Sequence, residues 1–192
     1  MQEPLPDFIA VLKALNTHNV RYVLIGGLAM IAHGADHITQ DIDIGYARDR
    51  DNLKAIAEAL SASHPHPRNF PPDLPFLWDE RTLRAASNFT LETDMAAVDL
   101  LGEITGMDSF EGLWERSVET ELYGLSVRIA SLADLIAMKR AANRPKDQRH
   151  LQELEALLKL IQRERAVSAL GKIGDSSAVP ALIEALKTDG TP

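Results

Sequence analysis

The segment Asp41-Ile-Asp-Ile-Gly-Tyr46 alternates polar and apolar residues with period two, the pattern of a strand that turns one face to a core and the other away from it. Its polar face carries two carboxylates, and a later strand candidate, Ala97-Val-Asp-Leu-Leu101, adds Asp99. Carboxylates on neighbouring strands of a small sheet repel one another unless something positive sits among them. A divalent cation is the natural occupant: Mg2+ takes hard oxygen ligands, commonly one or two carboxylates with substrate phosphates completing its shell. Two such ions can hold both the attacking and the leaving oxygen of a phosphoryl-type transfer.

The surrounding pattern is that of an α/β chain. Phe8, Ile9, Val11, Leu12 and Leu15 fall at helical spacing and predict an opening helix that ends near Asn19. Arg21 to Ile25 reads as a strand running into Gly26-Gly27, and Leu28 to His33 as a helix stopped by Gly34. A helix is expected over Asn52 to Ala62, then an irregular loop from His64 to Pro75 that carries five prolines. Asn88 to Thr93 and Ala97 to Leu101 read as a hairpin, Phe110 to Val118 as a short helix, and Thr120 to Ile129 as a second hairpin broken at Gly124. Ser131 with Asp134 three residues on opens a further helix, which Arg144-Pro145 breaks. A long helix resumes from Lys146 to about Glu164, with Leu151, Leu154, Leu157, Leu158 and Ile161 on one face.

Composition excludes several classes. With 45% hydrophobic and 25% charged residues, the 192-residue chain is an ordinary folded protein and not a disordered or fibrous one. The absence of cysteine removes disulfides and any thiolate-bound zinc or iron–sulfur site. No basic leader followed by an apolar run opens the sequence, and no stretch approaches the ~18 apolar residues that span a bilayer, so a cytoplasmic protein with no membrane partner is expected. The net charge of −8 disfavours polyanions, but it is unevenly spread. Asp79 to Glu121 holds eleven acids and three bases, while Asp134 to Arg165 holds eight bases and five acids. A phosphate-bearing partner therefore meets Lys139, Arg140, Arg144, Lys146 and Arg149 most readily, unless these form only a solvated helix face. His33, His37, His64 and His66 lack the spacing of a zinc site, and Trp78 and Trp114 read as packing residues.

Gly26-Gly27 at a strand-to-helix turn, thirteen residues, then Asp41-Ile-Asp43 and a later strand Asp99 together resemble the nucleotidyltransferase superfamily that includes DNA polymerase beta and the antibiotic nucleotidyltransferases. The resemblance covers most of residues 20 to 165. More narrowly, Ala97 to Gly106, Val127 to Lys139 and Arg144-Pro-Lys-Asp147 resemble the minimal bacterial nucleotidyltransferase-like proteins of the abortive-infection toxin group. The resemblance implies a small mixed sheet flanked by helices, with a C-terminal helical extension. It implies that Asp41, Asp43 and Asp99 are the catalytic and metal-binding residues, with two Mg2+ ions when NTP is bound. Gly26 and Gly27 become the phosphate loop, and Lys139, Arg144 and Lys146 the nucleotide-binding cations. The implied reaction moves a nucleoside monophosphate from an NTP to an acceptor hydroxyl on RNA or protein. Some members of the group are toxins, which implies a cognate antitoxin. Two departures stand out: Gly-Gly replaces the commoner Gly-Ser of the superfamily, and His150 stands where related sequences carry a second acid.

Ala166 to Lys187 resembles one unit of the short HEAT-type repeats, which divides the chain into residues 1–164 and 165–192. A lone repeat cannot bury its own apolar face, here Val179, Leu182, Ile183 and Leu186, so intramolecular docking or a homodimer is expected. The same feature supports an alternative reading, a non-catalytic scaffold of this fold that uses the hairpin to hold a protein partner.

Overall fold

The computed structural model describes residues 6–71, 74–145, 147–173 and 180. The element order is α1 (Phe8–Thr17), β1 (Tyr22–Ile25), α2 (Gly26–Ala32), β2 (Asp41–Tyr46), α3 (Arg50–Ser61), β3 (His66–Pro67), α4 (Glu80–Ala85), β4 (Asn88–Glu92), β5 (Ala97–Leu101), α5 (Phe110–Arg116), β6 (Val118–Leu122), β7 (Leu125–Ile129), α6 (Leu132–Ala142) and α7 (Asp147–Ile173). The strands form one mixed sheet in the order β3-β4-β5-β2-β1-β7-β6. β2 lies antiparallel to β1 and parallel to β5, while β4 with β5 and β6 with β7 are the two expected hairpins.

The alternation in β2 sorts the sheet into two faces. Ile42 and Ile44 point into a core with Tyr22, Leu24, Val98 and Leu100, all nearly sealed from solvent. Helix α1 covers that face through Val11, Leu12 and Leu15, and the Tyr22 hydroxyl donates to Asn16 at 2.9 Å. The other face carries Asp41, Asp43 and Asp99 and is flanked by α6. Helix α6 starts where the sequence placed it: the Ser131 hydroxyl accepts from the Asp134 amide and donates to its carboxylate. It stops at Asn143, whose left-handed backbone (φ 46°) turns the chain back toward Lys139, and Pro145 follows.

Three elements differ from expectation. The proline-rich loop contains a two-residue strand, β3, paired with the end of β4, because Pro67 sits on the sheet edge where its missing N–H costs no ladder bond. Helix α4 goes unpredicted, although Asp79 caps it by accepting from the Thr82 amide. Helix α7 does not end near Glu164 but runs unbroken to Ile173, so the first half of the HEAT-like segment continues it. The expected apolar face at Val179, Leu182, Ile183 and Leu186 lies outside the described residues.

Helix α7 joins the core through Leu154, which is fully buried, and Leu151, Leu157, Leu158 and Ile161 pack, partly buried, against the same core. Replacing Leu154 by Ala should therefore lower stability by about 2–5 kcal/mol in urea unfolding. An effect below about 1 kcal/mol would mean that α7 is an appendage and not part of the core.

Candidate active site

One row of residues running across the sheet builds the site. Ile25 of β1 pairs with Asp43 of β2, Asp43 with Asp99 of β5, and Asp99 with Thr90 of β4. Residues directly opposite on neighbouring strands share a face, so Asp43 and Asp99 present their carboxylates side by side about 5 Å apart at the backbone. Asp41 stands two residues before Asp43 on the same face. The chain turns into α2 immediately after Ile25, which brings Gly26 against Asp43. Gly26 has φ +60°, and a β-carbon there would collide with the Asp43 carboxylate. Glycine is required at this position twice over, by conformation and by space.

The carboxylates feel one another. Burial first, then the fields of Asp41 and Asp99, push the Asp43 carboxyl up to about 6, against the Gly27 amide, which donates to Asp43, and the Lys139 ammonium, which act in the opposite sense. Thr39 holds Asp41 with a hydroxyl bond to Oδ1 of 2.9 Å and fills the space over Gly27, where a β-carbon would collide with it. Arg68 reaches Asp99, with Nη2 at 3.4 Å from Oδ1. Among the described residues no three His, Asp or Glu side chains form a ready-made metal cage. The donor set nonetheless fits a hard divalent ion: three like charges at a half-buried site, one of them held back from ionising, leave room for phosphate oxygens and water to complete a shell.

A cleft of about 230 Å3 opens over this row, lined by Gly26, Asp43 and Asp99 on the sheet side and by Lys139 and Arg144 on the α6 side. Both cations are anchored by Asp147, which is 1% exposed. Lys139 Nζ lies 3.2 Å from Asp147 Oδ1, and Arg144 Nε 2.7 Å from Oδ2. Burial would raise the Asp147 carboxyl, but the bonds from Arg144 and Lys139 prevail and hold it below the usual carboxylate range. His150 Nδ1 lies 3.4 Å from Lys139 Nζ, and its ring is edge-on to His37. Burial, then Lys139 and His37, keeps that imidazole below its ordinary value.

Of the residues singled out in the sequence, Gly26, Asp43, Asp99, Lys139 and Arg144 line this cleft and Asp41 and Gly27 adjoin Asp43, while Lys146 lies outside the described residues. Arg140 pairs with Glu155 at 2.6 Å and does not line the cleft. Thr39 and Arg68 were missed. Thr39 carries the legible signal of a hydroxyl two residues before a strand carboxylate, whereas Arg68 sits among prolines with no pattern around it. His33 bonds to the Ala130 carbonyl and His64 to Asp94, both away from the cleft lining. Trp78 donates to the Ala57 carbonyl, and Trp114 lies under Arg128.

The fold is shared with solved nucleotidyltransferases. The antibiotic-resistance factor ANT(2'')-Ia in complex with adenylyl-2''-tobramycin is 14% identical over 82% of this chain and 88% of that one, with a TM-score of 0.50. The solution structure of ANT(2'')-Ia is 16% identical over 88% and 96%, with a TM-score of 0.46. An antigenic nucleotidyltransferase-like protein from Paracoccidioides brasiliensis is 14% identical over 94% and 91%, with a TM-score of 0.45. No protein of curated function matches the chain. Residues 162–188 match the PBS lyase HEAT-like repeat, in agreement with the reading of that segment. The seven-stranded mixed sheet flanked by helices is a nucleotidyltransferase fold.

The crowding of Asp43 has a measurable sign. Its folded value, about 6, lies above the unfolded one, so the stability it contributes is complete below pH ~4 and lost as pH rises through about 6. At pH 7 without divalent metal, Asp43→Asn should be more stable than the parent by roughly 1–3 kcal/mol, and the gain should vanish below pH ~4. A mutant of equal or lower stability at pH 7 would show that the carboxylates are not crowded.

Proposed function

We propose that the chain is a Mg2+-dependent nucleotidyltransferase that moves a nucleoside monophosphate from an NTP to an acceptor hydroxyl. The observation that carries this reading is the row in which Asp43 and Asp99 are paired across β2 and β5, with Asp41 on the same face and Gly26 kept bare beside them. Asp41, Asp43 and Asp99 would hold the metal, and Mg2+ when bound supplies Lewis-acid polarisation of the phosphate oxygens. Asp99 orients the acceptor hydroxyl and takes its proton as the acceptor oxygen bonds to the α-phosphorus. The bond from that phosphorus to the bridging oxygen breaks, and pyrophosphate leaves. Gly26 and Gly27 let the backbone approach the triphosphate, while Lys139 and Arg144, held rigid by Asp147, face its charge.

The finer assignments belong to the same proposal. The chain is taken as a member of the abortive-infection toxin group, cytoplasmic, with RNA or protein as acceptor and a cognate antitoxin as partner. Residues 1–164 form the transfer unit and 165–192 the HEAT-like segment, which begins within α7 and whose apolar face is covered by the preceding turns of that helix or by a second copy in a homodimer. No helix among the described residues is long and apolar enough to cross a membrane.

A second reading, a scaffold without turnover, has its own support: the Gly27 amide is engaged by Asp43, and the Lys139 ammonium by Asp147. Transfer of label from α-labelled NTPs to total cellular RNA and protein, with and without Mg2+, separates the two. We expect Mg2+-dependent labelling and pyrophosphate release, reduced at least a hundredfold in Asp43→Asn. Labelling undiminished by that substitution would exclude Asp43, and no labelling of any fraction by the folded parent would favour the scaffold.

A further inference from the structure

Arg68 belongs to the same row as the carboxylates. Its amide bonds to the Thr90 carbonyl at 2.9 Å, extending the β3–β4 ladder by one residue, and Thr90 is the register partner of Asp99. His66 is paired with Glu92, so two residues on, Arg68 projects to the face that holds Asp99 and Asp43. Its guanidinium lies between two acids, with Nη2 3.4 Å from Asp99 Oδ1 and Nε 3.9 Å from Glu92 Oε1. The Arg68 and Asp99 side chains are 31% and 22% exposed, and that of Glu92 is 52% exposed. The guanidinium thus touches the inner carboxylate while a second, more solvated acid stands beside it as an alternative partner.

We propose that Arg68 is a built-in counter-cation at Asp99 that a divalent ion must displace, so that metal enters the acceptor side of the site only as the guanidinium withdraws toward Glu92. The inference rests on the metal-binding role proposed for Asp99. A guanidinium and a metal ion compete for the same carboxylate, and held within a few ångströms of each other on Asp99 they repel, so each weakens the other's hold. The arrangement also explains how an acid-crowded site keeps its geometry without metal: the row ends in a charge of the right sign. Its position immediately after β3, a two-residue edge strand, gives the guanidinium a short and weakly held base from which to move. Arg68 acts through Asp99 and is a positioning residue.

The test is calorimetric titration of the full chain with Mn2+ alone, comparing the parent with Arg68→Gln, Asp43→Asn and, as a charge control away from the cleft lining, Arg84→Gln. Arg68→Gln should bind Mn2+ roughly threefold or more tightly than the parent, since the competing ion pair is gone, and Arg84→Gln within about 1.5-fold of the parent. Equal or weaker Mn2+ binding by folded Arg68→Gln, or the same gain in Arg84→Gln, would overturn the proposal. If Asp43→Asn loses Mn2+ while Arg68→Gln matches the parent, the metal site stands and only the displacement falls. If the parent itself binds no Mn2+, both fall. Should Arg68→Gln fail to fold, the Arg68 Nε–Hε resonance of the parent decides: it must move with the midpoint of Mg2+ binding, and a resonance that stays fixed contradicts displacement.

Discussion

Carboxylates of like charge repel at a half-buried place, and the pairing of β2 with its two neighbours forces them together in this chain. The antiparallel register with β1 sets Asp43 against the Ile25–Gly26 turn, and the parallel register with β5 sets it against Asp99. A slip of one residue in either ladder would send Asp43 into the apolar core in place of Ile42 and Ile44, so the buried face of β2 fixes the position of the charged one. The core and the site are in this sense two sides of the same strand.

The rest of the cleft can be understood as the response to that concentration of charge. The Gly27 amide donates to Asp43, the Thr39 hydroxyl to Asp41, and the Arg68 guanidinium approaches Asp99. On the opposite wall Lys139 and Arg144 present positive charge, kept in place by a buried carboxylate, Asp147, that is ionised because it is doubly bonded. Breaking that arrangement by removing one partner would leave a buried charge uncompensated, which is costly in any protein interior. The positive wall and the negative row face each other across a cleft of about 230 Å3. A metal–triphosphate, positive at one end and negative at the other, is complementary to that polarity.

Much of this was legible in the sequence, and for physical reasons. Strand alternation in Asp41 to Tyr46 must place both carboxylates on one face, and the capping pattern at Ser131 must start a helix there. Gly26 could be recognised as a turn residue, but not as a residue with no room for a side chain, because the collision is with Asp43, seventeen residues away in sequence. Arg68 was invisible for a related reason. Its role depends on β3, whose strand character comes from pairing with β4 and not from local propensity, in a stretch dominated by proline. The basic segment after Asp134 was read as a surface for phosphate, yet Arg140 proves to be bound to Glu155, since intramolecular partners cannot be told from composition. The repeat pattern suggests two short helices after Ala166, whereas α7 continues through the first of them to Ile173, because a helix end with no stop signal is set by packing and not by the repeat.

A shared fold supports many chemistries, so transfer is decided by what the site binds. The most direct measurement is anomalous diffraction from crystals grown with Mn2+ and a non-hydrolysable NTP analogue. The account predicts an anomalous peak at roughly 2.0–2.3 Å from oxygens of both Asp41 and Asp43, with a triphosphate oxygen in the same shell and the triphosphate facing Lys139. A nucleotide bound elsewhere, or bound in this cleft with Mn2+ remote from Asp41 and Asp43, would contradict it.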